Sequence, residues 1–325
     1  AEAWVVTWAG AGFIAMMQAA EESGVMDAMA MGTAYINNGL MSTFFGHAVG
    51  QTAGFLYHYT APDNPINDWL VQETMARYGV PPDLFDADGM NAAIEAVTAL
   101  RATDGDTSAD ALIAAMEGME FEGPKGTILF RSEDHMAMQD MYIVKLLNVD
   151  DPEFKFFELV ETTRPEIPCL LPEDMKDRCG SLPYGSLSGM AAEPEEPAAA
   201  LSCEEPIKIG LITDKSGALA LYGEMIERSF LLGMEYMAGA PGTEDNTFTV
   251  DNCDIQILIR DDQSNPETTS TVARELIEVD EVDMLVGTVS SGATATLQQI
   301  ALDNDKVLIV APAAANEITG ANFND

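Results

Sequence analysis

With 325 residues, 47% of them apolar, and a mean hydropathy of +0.02, the chain can build two packed domains and is not a disordered polymer. It carries 15 Lys and Arg against 54 Asp and Glu, a formal net charge of -39. So acidic a surface argues against nucleic acid and anionic membranes as partners, and it suits a salty medium.

Trp4 to Trp8 reads as a strand, Ala9-Gly10-Ala11-Gly12 as a tight turn, and Phe13 to Ala20 as a helix. Ala3 to Ala20 is the most apolar stretch, but Gly10 and Gly12 break it and no basic residue flanks it. It is therefore read as neither a membrane span nor a signal peptide, and the chain as given carries no export signal. Gly10, Gly12 and Ala15 spell the G-x-G-x-x-A of a dinucleotide turn. The next strand, near Ala28 to Met31, ends in Gly32-Thr33 and offers no acid for a ribose, so a tight strand-to-helix connection explains the glycines without a cofactor.

A helix around Met41 to His47, an aromatic strand from Thr52 to Tyr59 and an amphipathic helix from Asp68 to Tyr78 follow. Asp86-Ala87-Asp88-Gly89 resembles part of a calcium loop, but the first ligand position holds Leu84, so a helix start is the reading. Helices Met90 to Leu100 and Ala109 to Met116 lead to a turn at Gly123-Pro124-Lys125-Gly126. Strands Thr127 to Phe130 and Met141 to Leu147 close the first half.

Pro165 to Pro206 is rich in Pro, Glu, Ala and Ser, and Ala191 to Ala200 has no periodicity, so the stretch reads as a flexible linker. Ala200-Leu201-Ser202-Cys203 superficially matches a lipoprotein cleavage box, but the acidic run before it cannot be a signal core. Cys169 and Cys179 bracket a short polar loop. Cys203 and Cys253 each precede a strand, Ile207 to Ile212 and Ile255 to Arg260; if those strands are parallel neighbours, their starts are close enough to bridge. The reading is two disulfides and an extracytoplasmic home, with free buried thiols as the alternative. No cysteine spacing fits a zinc site, and His47, His58 and His135 are scattered, so no metal or cofactor is expected.

Beyond the linker, strands and helices alternate. Strand Ile207 to Ile212 is followed by a turn holding Ser216 and Gly217 and a helix from about Tyr222 to Met237. Strand Ile255 to Arg260 ends in Asp261-Asp262 before a helix from Pro266 to Glu278. Strand Met284 to Val286 runs into Gly287-Thr288-Val289-Ser290-Ser291, then a helix, then strand Val307 to Ala311 ending at Pro312. Repeated βαβ units require a parallel sheet with helices on both faces. The serine turn lies beyond the carboxyl end of its strand, where helix N–H groups and the helix dipole favour an anion. Serine there can also simply cap the helix.

The second half resembles the N-terminal lobe of type I periplasmic binding proteins, the branched-chain amino acid and amide receptors of ABC transporters. Three signatures carry the resemblance: Ser216-Gly217 through Tyr222-Gly223, Asp261-Asp262 with Asn265-Pro266, and Ser290-Ser291 followed by Pro312-Ala313-Ala314-Ala315. The first half looks like the C-terminal part of the same family, through Trp4 to Ala20, Phe55 to Tyr59, the Gly123-Pro124-Lys125-Gly126 turn and Met141 to Leu147. The family's order is inverted here, and its intervening segment has no counterpart. The chain is either permuted and shortened, or it joins the tail of one copy to the head of another.

The resemblance implies an α/β fold of two lobes, each a mostly parallel sheet flanked by helices, permuted and incomplete. Residues 1–164 stand for the second lobe and hinge-crossing elements, 165–206 for a cysteine-containing tail and linker, and 207–325 for the N-terminal lobe. It further implies a solute-binding protein of an ABC importer, periplasmic or extracellular and membrane-associated, with a small-molecule solute and the transporter's membrane permease as partners. By position, Ser291 with Ser290 takes the ligand carboxylate, Ala313 supplies a carbonyl and Tyr222 forms a wall. The family's threonine position holds Ala315, and its acidic position falls at Gly32-Thr33-Ala34, so Thr33 stands where a carboxylate is expected. The resemblance thus implies a small amino acid, amide or carboxylate-bearing solute held in an interlobe cleft, and an amide or another small carboxylate fits those departures better than a standard α-amino acid. Trp8 is placed to stack on the ligand or to be a core tryptophan. An enzyme on the same scaffold and a binding-incompetent fragment or fusion are the alternatives; no nucleophile–base pair is visible for the former.

Overall fold

The computed structural model describes residues 2–6, 12–183 and 200–324. Its elements, in chain order, are β1 (Ala3–Val5), α1 (Phe13–Glu22), α2 (Val25–Ala28), β2 (Ala30–Gly32), α3 (Asn38–Phe44), β3 (Thr52–Phe55), α4 (Pro65–Tyr78), α5 (Asp86–Ala102) and α6 (Ala109–Met116). There follow β4 (Glu120–Gly123), β5 (Gly126–Phe130), β6 (Ala137–Met138), β7 (Met141–Leu146), β8 (Phe157–Thr163), β9 (Ile207–Thr213), α7 (Ala220–Ala238), β10 (Thr247–Val250) and β11 (Cys253–Asp261). The chain continues through α8 (Pro266–Glu278), β12 (Met284–Gly287), α9 (Ser291–Asp303) and β13 (Leu308–Ile309). Local chemistry sets several boundaries. Asn64 caps α4 by accepting from the Ile66 and Asn67 N–H groups, with Pro65 in the first turn, so this helix starts earlier than its apolar periodicity suggests. Asp86 opens α5, the helix start expected in place of a calcium loop.

Two compact units emerge, and neither is one continuous piece of chain. The first takes Ala1–Ala87, Pro124–Gly126 and Asp140–Arg164; the second takes Asp88–Gly123, Thr127–Gln139 and Pro165–Asp325.

In the first unit β1 and β2 pair in parallel, while β3, β7 and β8 form an antiparallel sheet in that order. The expected mostly parallel sheet is thus confined here to one pair. Sequence reading also missed β8, whose Phe157–Thr163 run is largely exposed and so lacks a clean alternation. The core is aromatic: the rings of Tyr35, Phe45, Phe55 and Phe157 lie 4.9–6.2 Å apart in tilted and edge-on pairs. His58 is buried among them, its Nδ1 2.7 Å from the Thr60 hydroxyl and its Nε2 3.0 Å from the Phe154 carbonyl oxygen. Burial lowers its pKa from 6.5 to about 4, against the raising effect of the Phe154 carbonyl.

The second unit is built on a five-stranded sheet in the order β10-β11-β9-β12-β13. All its strands are parallel except β10, which pairs antiparallel with β11. β9 is buried along nearly its whole length, as a central parallel strand must be. Ile212 and Leu285 pack with Ala273 and Leu276 of α8 and with Leu297, Ile300 and Ala301 of α9. α5 reaches α7 through small residues: a Cβ at Gly233 would stand 2.7 Å from that of Ala93, and one at Gly89 would meet the Ser229 hydroxyl at 2.1 Å.

Both disulfides form. Ile207 lies opposite Ile255 in the β9–β11 ladder, and a bridge between Ser202 and Asn252 extends the alignment toward the strand starts. That register brings Cys203 and Cys253 to a Cα separation of 5.0 Å, and they are bonded. Cys169 is bonded to Cys179 across a 3-10 helix, Glu173–Cys179. Of the stretch read as a linker, residues 165–183 therefore fold into an ordered knot with buried Cys169, Leu171 and Cys179; most of the Pro/Glu/Ala run lies outside the described residues.

Candidate functional site

Parallel pairing of β9, β11, β12 and β13 delivers four loops to one edge of the sheet, at the carboxyl ends of the strands. Three aspartates at that edge turn the loops. Asp214, fully buried after β9, accepts from the Gly217 N–H at 2.5 Å, the Leu219 N–H at 2.8 Å and the Ser264 hydroxyl at 2.6 Å. Asp261, at the end of β11, accepts from the Lys215 N–H at 2.8 Å and the Ser216 hydroxyl at 2.6 Å. Its carboxyl is held below the ordinary value: partial burial works against ionisation, but the Ser216 hydroxyl and surrounding N–H groups outweigh it. Asp262, also buried, takes the Thr288 hydroxyl at 2.5 Å and the Thr269 hydroxyl at 3.1 Å, tying the β11 loop to the β12 loop.

This carboxylate frame fixes where α9 begins. The Thr294 hydroxyl donates to the Ser290 carbonyl at 3.0 Å and the Thr288 carbonyl at 3.3 Å, while the Thr294 N–H makes the helix's opening bond to Ser290 at 2.8 Å. Ser290 is the N-cap residue by backbone position, yet its side chain makes no capping hydrogen bond. Ser290 and Ser291 are both half-buried. The capping alternative is therefore not what occupies the Ser290 hydroxyl, and the first N–H groups of α9 keep their outward-directed donor capacity.

Five of the seven expected ligand residues share this edge. Ser290 and Ser291 follow β12, Ala313 and Ala315 follow the neighbouring β13 beyond Pro312, and Tyr222 lies in the first turn of α7 after β9. All five are half-buried. Gly223 allows α7 to begin hard against β9, since a Cβ there would sit 1.7 Å from the Asp214 carbonyl oxygen. Thr33 belongs to the first unit, half-buried just beyond β2, with its hydroxyl donating to the Ala34 carbonyl at 3.1 Å. Trp8 lies outside the described residues. Sequence reading passed over Asp214 and Thr288, although an Asp three residues before Gly217 is the pattern of a side-chain-closed turn. Among the described residues, no group of three or more His, Cys, Asp or Glu is placed to hold a metal ion, and no helix is long and apolar enough to cross a membrane.

A family model described as Periplasmic binding protein matches residues 1–150 and 206–324. Among solved structures, the chain is similar to an ABC-type branched-chain amino acid transporter protein from Rhodopseudomonas palustris CGA009, with 36% identity and a TM-score of 0.41 over 50% of this chain and 43% of that one. It is also similar to a branched-chain amino acid transporter substrate binding protein from Streptococcus pneumoniae in complex with isoleucine, with 28% identity and a TM-score of 0.31 over 35% and 31%. A solute binding protein of an ABC transporter from Rhodopseudomonas palustris BisB5, in complex with 3,4-dihydroxy benzoic acid, matches at 22% identity and a TM-score of 0.41 over 50% and 45%. The chain spans less than half the length of each of these. No curated protein matches it.

Proposed function

The chain belongs to the periplasmic binding protein family, and we propose that it is a solute receptor of an ABC importer, acting outside the cytoplasm without chemical change to its ligand. The observation that carries this reading is the start of α9, where the Ser290 hydroxyl is not spent on capping and helix N–H groups stand at the carboxyl edge of a parallel sheet. In this reading Ser291 and Ser290 hold a carboxylate or amide oxygen, the Ala313 carbonyl takes a donor from the ligand, and Tyr222 supplies an apolar wall. In this reading Ala315 lacks the hydroxyl, and Thr33 the carboxylate, that the family resemblance expects at each of those positions for an α-ammonium group. The ligand is accordingly a small amide or carboxylate of low positive charge. Two disulfides in one chain suit an oxidising compartment.

A thermal-shift screen against branched-chain amino acids, small amides, urea and short carboxylates tests the reading. A ligand at a hundredfold its dissociation constant adds about 2.7 kcal/mol to the stability of the folded state, so its class reveals itself as a raised midpoint. Mass analysis of the solute after incubation returns it unaltered if the chain is a receptor and not an enzyme. A second reading, that the chain by itself binds nothing, is favoured by how little of its relatives' length it spans. A cooperative transition that no solute moves would select that second reading.

A further inference from the structure

The Cys169–Cys179 knot lies between the two family-matched stretches, 1–150 and 206–324, so the family pattern assigns it no role. It nevertheless reaches the loop that follows β13. Phe323 packs against the cluster of Cys169, Leu171 and Cys179. The Arg178 guanidinium, next to Cys179, stacks over the Phe323 ring at 5.0 Å, and the His135 ring meets the same phenyl group at 4.9 Å. Arg178 is itself anchored, donating to the Glu117 carboxylate at 2.5 Å and to the Glu133 carbonyl at 2.9 Å. Buried Arg131 also holds the knot, donating to the Ile167 carbonyl at 2.5 Å while it pairs with Asp134. Backbone approaches close the contact: a Cβ at Gly320 would stand 2.9 Å from the Leu170 carbonyl oxygen.

From Phe323 the hold passes back along the chain through consecutive turns. Phe323 N–H donates to Gly320 O at 2.9 Å, Asn322 N–H to Glu317 O at 2.7 Å, and Ile318 N–H to Ala315 O at 3.0 Å. Gln298 of α9 fixes the same turn by donating to the Ile318 carbonyl at 3.1 Å. The segment that ends at Phe323 thus begins at Ala315, one of the residues read as lining the solute site. Neither cysteine belongs to that site.

We propose that the disulfide knot of residues 165–183 is a positioning clasp for the Pro312–Ala315 loop, raising solute affinity by holding the loop against α9 while touching no ligand. The proposal deepens the receptor reading and rests on it for its effect on affinity. Preorganising a loop saves its ordering cost on binding, worth about tenfold in affinity for one or two immobilised residues.

The test is hydrogen exchange, followed by calorimetric titration with the solute found in the screen. It compares the full chain with a Cys169→Ser/Cys179→Ser variant and, with the disulfide intact, with Phe323→Ala. Both variants are expected to lose exchange protection across 312–323 while peptides from β9, β11 and β12 keep theirs, and both bind the solute about tenfold more weakly. Phe323→Tyr, which preserves the ring contacts, restores both properties. Unchanged exchange across 312–323 in both variants overturns the clasp. Lost protection with unchanged affinity also overturns it, because the knot would then order the segment without positioning the site. If the unmodified chain binds no solute in the screen, the receptor reading fails, and exchange across 315–323 alone decides whether the clasp exists.

Discussion

Gly223 and Ser291 show how differently single residues act on the same edge of the sheet. A methyl group on Gly223 has nowhere to go, because it would meet the Asp214 backbone, and the Asp214 carboxylate is itself tied to the following turn by three hydrogen bonds. Gly223→Ala is expected to cost about 3 kcal/mol, read as a lower urea midpoint with unchanged slope. Ser290→Ala and Ser291→Ala should each change the unfolding free energy by less than about 0.5 kcal/mol, since no capping bond is lost. Solute affinity should fall about tenfold or more in Ser291→Ala, the scale of one hydrogen bond to a charged group. His58 acts through solvation instead. Its folded pKa of about 4 lies below its ordinary 6.5, so its contribution is complete above pH 6.5 and fades as the pH falls toward 4, about 3 kcal/mol in all. Its ring-proton NMR shift should stay at the neutral value down to near that folded pKa. A titration near 6.5 in the folded chain would show the ring to be solvated.

At the scale of elements, the ladder of β9 and β11 and the Cys203–Cys253 bond are one arrangement. The bond closes a loop of 50 residues that contains β9, α7 and β10. Chain entropy assigns such a closure about 4 kcal/mol. Cys203→Ser/Cys253→Ser should therefore lower stability by about that amount, measured by denaturant unfolding. The pairing could be anticipated because two βαβ strands in sequence are natural neighbours and parallel strands start at the same edge. β10 and β4 were not anticipated: four-residue strands carry too few side chains to display a period. The order of residues 165–183, beyond the candidate Cys169–Cys179 bond, is hidden in the sequence for a related reason. Its prolines and charges look like linker composition, while its order comes from a disulfide and from Phe323, more than 140 positions away.

For the whole molecule the dominant quantity is charge. A formal -39 spread over one chain repels itself in the compact state more than in the expanded one. Raising ionic strength from about 0.1 M to about 1 M shortens the screening length from ~10 Å to ~3 Å. The thermal midpoint is accordingly expected to rise across that range of sodium chloride, and a flat or falling midpoint would mean that local ion pairs already balance the repulsion.

The sequence by itself determined the α/β alternation of the second half, the serine turn and its neighbours, the family, and the proximity of Cys203 to Cys253. These follow from short-range signals: apolar runs, Asn-Pro helix starts, small residues at strand ends. Only the tertiary structure decided that residues 88–123 and 127–139 pack with 165–325, that the Ser290 hydroxyl is not a cap, and that Phe323 is held by a distant cystine. The first and last depend on which side chains meet from widely separated stretches of sequence, and the Ser290 turn depends on buried Asp262 from another strand. Periodicity and capping rules describe a segment's own geometry, whereas such meetings are settled by the packing of buried surfaces against one another.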